Sequence, residues 1–144
     1  MPWAGDRLTI VADSGPIFAG YDRSDPDHDR VRAILLTLRE PVIAPLPVVI
    51  EVALLLQRRL GPAHEARFLR ACGSREIEIE MLTDSDFSRA AEIVEQYADA
   101  RVAFIDASVV AIAERLNIAR VLTLDRRDFS IIRPRHCPAF ELLP

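Results

Sequence analysis

The chain has 144 residues, half of them hydrophobic, and a formal net charge of -4, which suffices for one domain with a core that needs no disulfide or metal to staple it. That charge excludes a broad basic surface able to hold nucleic acid by charge alone. All 18 basic residues are arginine, which excludes any mechanism built on a catalytic lysine and leaves the side chain best suited to bidentate phosphate contacts.

Met1 to Ala12 contains Pro2, Asp6 and Arg7 and only a short apolar run, so no signal-peptide core is expected. Apolar Leu8 to Ala12 predicts a buried strand, and Asp13-Ser14-Gly15-Pro16 after it predicts a helix start with proline in its first turn. Asp25-Pro26 opens a second helix, with Val31, Ile34, Leu35 and Leu38 at helical spacing. Val42 to Ala44 reads as a short strand, and Pro45-Leu46-Pro47 leads into a strongly apolar helix to about Leu60. The apolar stretch Val42 to Leu56 carries two prolines and Glu51 and is shorter than the ~20 residues of a membrane span.

Gly61-Pro62 stops that helix and opens another through Phe68 and Cys72. Glu76 to Leu82 alternates charged with apolar side chains, Ile77, Ile79 and Met81 on one face, as an edge strand does. Thr83-Asp84-Ser85-Asp86 caps a helix through Tyr97, and Phe104 to Leu116 forms the next, ending at Asn117. Val121 to Leu124 is a strand, Asp125-Arg126-Arg127-Asp128 a polar turn, and Phe140 to Leu143 a final short strand. Helices alternating with short β-rich segments predict an α/β fold, a mostly parallel sheet covered on both faces, in one domain over residues 1–144.

Cys72 and Cys137 lack a CxxC spacing, and His28, His64 and His136 lack metal-ligand spacing. The expectation is a soluble, cytoplasmic protein with free thiols and no zinc site.

Four carboxylates stand in surroundings that do not suit an idle charge. Glu51 is the only charge from Val42 to Leu56, on a helix apolar nearly all round, which predicts a buried helix. An unpaired carboxylate there would cost several kcal/mol or shift its pKa upward, so it needs a cation or a hydrogen-bond partner, for which Arg101 is one candidate. Asp106 follows Phe104-Ile105 and precedes the apolar run Ala107 to Ala113, with Ser108 alone polar. Asp13 and Asp125 each end an apolar strand, and ligands of open parallel sheets bind at the carboxyl ends of strands. Singly, a turn, a cap or the helix macrodipole accounts for each of these acids. Jointly they offer four oxygen ligands to a hard divalent cation.

Val11-Ala12-Asp13-Ser14, Pro47-Val48-Val49-Ile50-Glu51-Val52, Ile105-Asp106-Ala107-Ser108 and Leu122-Thr123-Leu124-Asp125-Arg126-Arg127-Asp128-Phe129, in this order and spacing, resemble the PIN domain family. Within it they resemble the VapC-type toxins of bacterial toxin-antitoxin pairs. The resemblance covers nearly the whole chain and implies a PIN-like three-layer α/β/α fold. By it, Asp13, Glu51 and Asp106 match three acids of a Mg²⁺ or Mn²⁺ site, and Asp125 the fourth, more variable one, with Asp128 as the alternative. Ser14 matches a hydroxyl position beside the first acid, and Thr123 a polar residue before the fourth. The activity implied is a metal-dependent endoribonuclease that inhibits translation and growth. The partners implied are RNA, a VapB-type antitoxin whose tail enters the site, and a second copy in a homodimer. Arg126 and Arg127, beside Asp125, are candidate phosphate contacts. The segment Met1 to Arg7 is extra relative to the shortest toxins of this kind.

Two other readings of the acids stay open from the residues. A phosphoryl-transfer domain also places Asp at strand ends, but a HAD-like phosphatase wants a second Asp two residues after Asp13, where Gly15 stands, and a receiver domain wants a lysine. A non-catalytic module whose acidic pocket receives an arginine from a partner is the other.

Overall fold

The computed structural model describes residues 9–144. Leu8, placed above in the first strand, and the segment Met1 to Arg7 lie outside the described residues. Five strands form one sheet: β1 (Ile10–Ala12), β2 (Val42–Pro45), β3 (Ile77–Glu80), β4 (Arg120–Leu122) and β5 (Glu141–Leu143), in the order β3-β2-β1-β4-β5. Every pairing is parallel, with Val11 opposite both Ile43 and Val121. Strand β1 is central and fully buried, as its unbroken apolar sequence requires of a strand covered on both faces. The alternating β3 lies at one margin, as its sequence predicts, although Met81 falls beyond the strand end and is exposed.

Between β1 and β2 run α1 (Ser14–Tyr21) and α2 (His28–Thr37), and between β2 and β3 run α3 (Leu46–Leu60) and α4 (Pro62–Gly73). The return from β3 to β4 carries α5 (Asp84–Gln96), a 3-10 turn over Ala98–Ala100 and α6 (Phe104–Leu116), and α7 (Arg126–Ile131) joins β4 to β5. Right-handed crossovers put helices of the outward steps on one face and those of the return on the other, giving three layers. The packing follows that division, α1 against α2 and α3, α3 against α4, and α5 against α6. The order in which strands are added reverses between β1 and β4, from one side of β1 to the other, so a crevice opens at their carboxyl ends.

Three sequence expectations are corrected. The segment read as a polar turn after β4 is the start of α7, capped by the Asp125 carboxylate, which accepts the Asp128 N–H at 3.3 Å, and anchored by buried Phe129. Strand β4 ends at Leu122, leaving Thr123 and Leu124 in the loop above the sheet. Helix α3 is not buried all round: Val48, Val49, Val52 and Leu56 face the core, whereas Ile50 and Leu54 are exposed.

Candidate metal centre

Asp13 leaves the carboxyl end of β1 and caps α1. Its backbone N–H donates to the Leu122 carbonyl at 2.9 Å, which locks it against the end of β4. One carboxylate oxygen accepts the Ser14 N–H at 2.8 Å and the other accepts the Thr123 hydroxyl at 3.1 Å. The Thr123 hydroxyl, fully buried, also accepts the Asp125 N–H at 2.9 Å. One threonine therefore couples the carboxylate at the end of β1 to the backbone of the acid that follows β4.

Glu51 lies in the second turn of α3, half-buried, where its Oε1 accepts the Ser14 hydroxyl at 3.0 Å. It forms no ion pair with Arg101, which is exposed beyond the 3-10 turn; hydroxyl donation, rather than an arginine, meets this carboxylate. Asp106 sits in the first turn of α6, whose N-terminus points at the same edge of the sheet. Oxygens of Asp106, Asp125 and Asp128 lie within 4.8 Å of one another. The α7 cap brings in Asp128: it sets Asp125 and Asp128 on one helix end facing Asp106, a convergence that a flexible turn would not fix. Both candidates for the fourth acid are thus at the site.

The electrostatics follow from this crowding. Burial pushes the Asp106 carboxyl up to about 8, helped by the Asp13 charge, a hydrogen bond with Asp128, and the charges of Asp125 and Asp128. Burial also raises Asp13, against the hydrogen bonds from Ser14 and Thr123, and the charges of Glu51 and Asp125 add to the rise. A carboxyl held protonated near neutrality by burial and, after it, by like charges is one that a cation would ionise.

The cleft encloses about 900 Å³ and is lined by Asp13, Ser14, Gly15, Glu51, Ala103, Phe104, Ile105, Asp106, Leu124 and Asp125, with no arginine among them. Arg127 donates to Asp128 at 3.1 Å, and Arg126 to the Pro144 carbonyl at 3.0 Å, so both stand beside the cleft rather than in its lining. The sequence reading missed the apolar wall, Phe104 and Ile105, which the cleft shares with a neighbouring groove; its one signal was an apolar pair immediately before Asp106.

The sequence pattern of the PIN domain matches residues 10–133, which hold the strands β1 to β4 and every acid above. The chain belongs to the PIN domain family. This PIN domain is 30% identical to Ribonuclease VapC26 of Mycobacterium tuberculosis over 135 residues, 94% of this chain and 100% of that one. In fold it is similar to VapC20 of Mycobacterium tuberculosis, described as a Sarcin-Ricin loop cleaving toxin, with a TM-score of 0.77 at 20% identity over 83% of this chain and 92% of that one. It is also similar to VapBC2 from Rickettsia felis, solved bound to a DNA fragment from their promoter, with a TM-score of 0.68 at 11% identity, covering 95% and 100% of the two chains. The three-layer PIN architecture expected from the sequence is the one observed. Among the described residues, no helix is long and apolar enough to cross a membrane.

Proposed function

We propose that this chain, residues 1–144 acting as one PIN domain, is a divalent-cation-dependent endoribonuclease and the toxin of a VapBC-type pair, cutting cytoplasmic RNA and so stopping translation and growth. The observation that carries the reading is the convergence of Asp106, Asp125 and Asp128 within 4.8 Å, where Arg127 answers Asp128 alone, beside a cleft lined by Asp13, Glu51, Asp106 and Asp125 and by no arginine. An all-oxygen donor set fits Mg²⁺ or Mn²⁺ and not a thiol-seeking metal. Asp13, Glu51, Asp106 and Asp125 are the residues that would hold it, with Asp128 as an alternative or additional ligand. When bound, the cation supplies charge neutralisation at the scissile phosphate and makes water a competent nucleophile near neutral pH.

The chain's own residues do the positioning. Thr123 fixes Asp13 and the Asp125 backbone together, and Ser14 holds Glu51, so the carboxylates are oriented before substrate arrives. Arg126 and Arg127, exposed beside the cleft, are placed to meet RNA phosphates. A VapB-type antitoxin and a homodimer complete the assembly expected of a VapC-like protein. A cleft without its own cation also suits an arginine delivered by such an antitoxin, so the acidic-pocket reading becomes the inhibited state of the same site.

Purified protein is expected to cut structured RNA in Mn²⁺ or Mg²⁺ and not in EDTA, leaving 5′-phosphate and 3′-hydroxyl ends. Cleavage that survives EDTA, or 2′,3′-cyclic phosphate products, contradicts the proposal. Induced alone in bacteria, the chain should arrest growth, and Asp106→Asn should abolish the arrest.

A further inference from the structure

The acidic cleft has two kinds of wall. Asp13, Glu51, Asp106 and Asp125 supply one, and Ala103, Phe104, Ile105 and Leu124 supply the other. Phe104 opens α6 two residues before Asp106, roughly 3 Å away along the helix axis, and its ring is 42% exposed. That ring lies nearly parallel to the ring of Phe87 from α5, with centroids 5.8 Å apart and planes at 11°. Near-parallel rings at this separation are offset, so each leaves part of the other's face open. Tyr21 with Phe68 and Phe129 with Phe140, by contrast, meet edge to face around rings that the core buries.

The Phe87–Phe104 stack is also held in place from both sides. Asp86, immediately before Phe87, binds Arg115 of α6 at 3.0 Å, and Arg89, two residues after it, binds Glu114 of α6 at 2.7 Å. The helices that carry the two rings are thus tied together, which fixes the stack relative to Asp106 before any substrate arrives. An apolar ring contributes nothing to holding a cation, since hard cations take oxygen ligands. It does suit the other half of a nucleotide: acids and cation meet the phosphate, and the base needs a flat apolar partner. Inside a duplex the faces of a base are covered by its neighbours, whereas in a loop or bulge they are free to stack on an aromatic side chain. A cleft of about 900 Å³ has room for a whole nucleotide.

We propose that Phe104, backed by Phe87, is the stacking platform for an unpaired base beside the scissile phosphate. The substrate class of the site is then RNA that is free of a duplex at the cut, and Phe104 is the residue that sets this preference. Every base has a π-face, so the platform selects for an exposed base and not for a particular one. This rests on the ribonuclease reading above, and the test keeps the two apart.

The test measures kcat/KM in Mn²⁺ on an RNA hairpin whose loop holds the cut mapped with wild type. Phe104→Leu keeps an apolar side chain but no ring, and should lower kcat/KM about tenfold while Mn²⁺ binding and the circular dichroism spectrum stay those of wild type. Phe104→Trp should retain most of the wild-type rate. An abasic nucleotide is then placed on each side of the cut in turn. On one side it should cost wild type about the same factor, and it should cost Phe104→Leu almost nothing further, because both changes remove one contact. Phe104→Leu cutting as well as wild type, or an abasic loss as large in the variant as in wild type, overturns the platform while leaving the ribonuclease reading intact. A variant whose only change is a different oligomeric state in light scattering gives the ring to a protein partner and also overturns it. RNA paired through the cut should be refused, and equal cleavage of the paired form contradicts the proposal. If wild type cuts no RNA in Mn²⁺, the ribonuclease reading fails first, and the platform built on it fails with it.

Discussion

Two groups of acids gather at opposite ends of α6, one at its first turn and one at its last. At the last turn, Glu114 accepts a bidentate pair of hydrogen bonds from Arg89 at 2.7 and 3.0 Å, Glu92 meets Arg135 at 2.6 Å, and Asp86 and Glu80 both bind Arg115, at 3.0 and 2.9 Å. Asp86 also closes a capping box with Thr83. Each of these four acids has an arginine. At the carboxyl edge of the sheet, Asp13, Glu51 and Asp106 have hydroxyl, amide or carboxyl partners and no arginine; only Asp128 has one. One helix thus divides acids whose charge is already answered, which tie α5, α6 and the C-terminal loop together, from acids whose charge is left for something to bind.

The consequences differ in sign. Glu114 is held below the usual carboxylate range by Arg89 and the Arg135 N–H despite its desolvation, whereas Asp106 is pushed up to about 8. For Asp106 the folded protein binds more protons than the unfolded chain between the ordinary value of 3.8 and about 8, so metal-free stability falls as pH rises through that window. For Glu114 the opposite holds, and its contribution is lost as pH falls below the ordinary value of 4.5.

The comparison can be broken most forcefully at Arg89. Removing it as Arg89→Ala leaves Glu114, in a nearly buried position, with the Arg135 N–H but no side-chain cation hydrogen-bonded to it, and should cost roughly 3 kcal/mol in urea denaturation, equally in EDTA and in Mn²⁺. A loss confined to EDTA would mean that this network too is a cation site. A smaller effect is expected at Thr123→Val, which removes a buried hydroxyl serving Asp13 and the Asp125 backbone. A loss of roughly 1–3 kcal/mol should be accompanied by weaker Mn²⁺ binding in calorimetry, and Thr123→Ser should restore both. Smaller still is the difference between Asp125→Asn and Asp128→Asn. Asparagine still caps a helix, and Asp128 is already answered in part by Arg127. Asp125→Asn should therefore lower Mn²⁺ affinity more, and the reverse order would make Asp128 the principal ligand. Least of all, Arg135→Ala at an exposed pair should cost below about 1 kcal/mol.

Much of this division was legible in the sequence. Strand ends followed by Asp13 and Asp125, and single acids inside the apolar runs of α3 and α6, marked the site because apolar runs fix where a carboxylate stands. The bounds of α6 agree with the sequence reading, since apolar residues fill its length and Asn117 adopts the left-handed conformation that ends it. What escaped the sequence depends on contacts between distant segments. Helix α7 has no periodic apolar pattern before Phe129, so its cap read as a turn, and Asp128 was marked as an alternative ligand by the family resemblance alone, not by any local pattern. The apolar sequence of α3 does not distinguish a core face from an exposed face, so Ile50 and Leu54 read as buried. The arginine network joins residues 25 and 29 positions apart, a spacing that carries no local signal.

The account stands or falls on whether the acids at the carboxyl edge are arranged for a cation, and thermal melts of wild type and Asp106→Asn, each in EDTA and in Mn²⁺, test that most directly. In EDTA the variant, relieved of one charge at nearly the same shape, should melt higher than wild type, by a margin that widens from pH 4 towards pH 8. In Mn²⁺ the order should close or reverse, because a cation that binds the folded state stabilises wild type by about 2.7 kcal/mol at a hundredfold excess over Kd. A variant that melts lower than wild type by the same amount in both solutions would make Asp106 a structural acid like Glu114 and contradict the account.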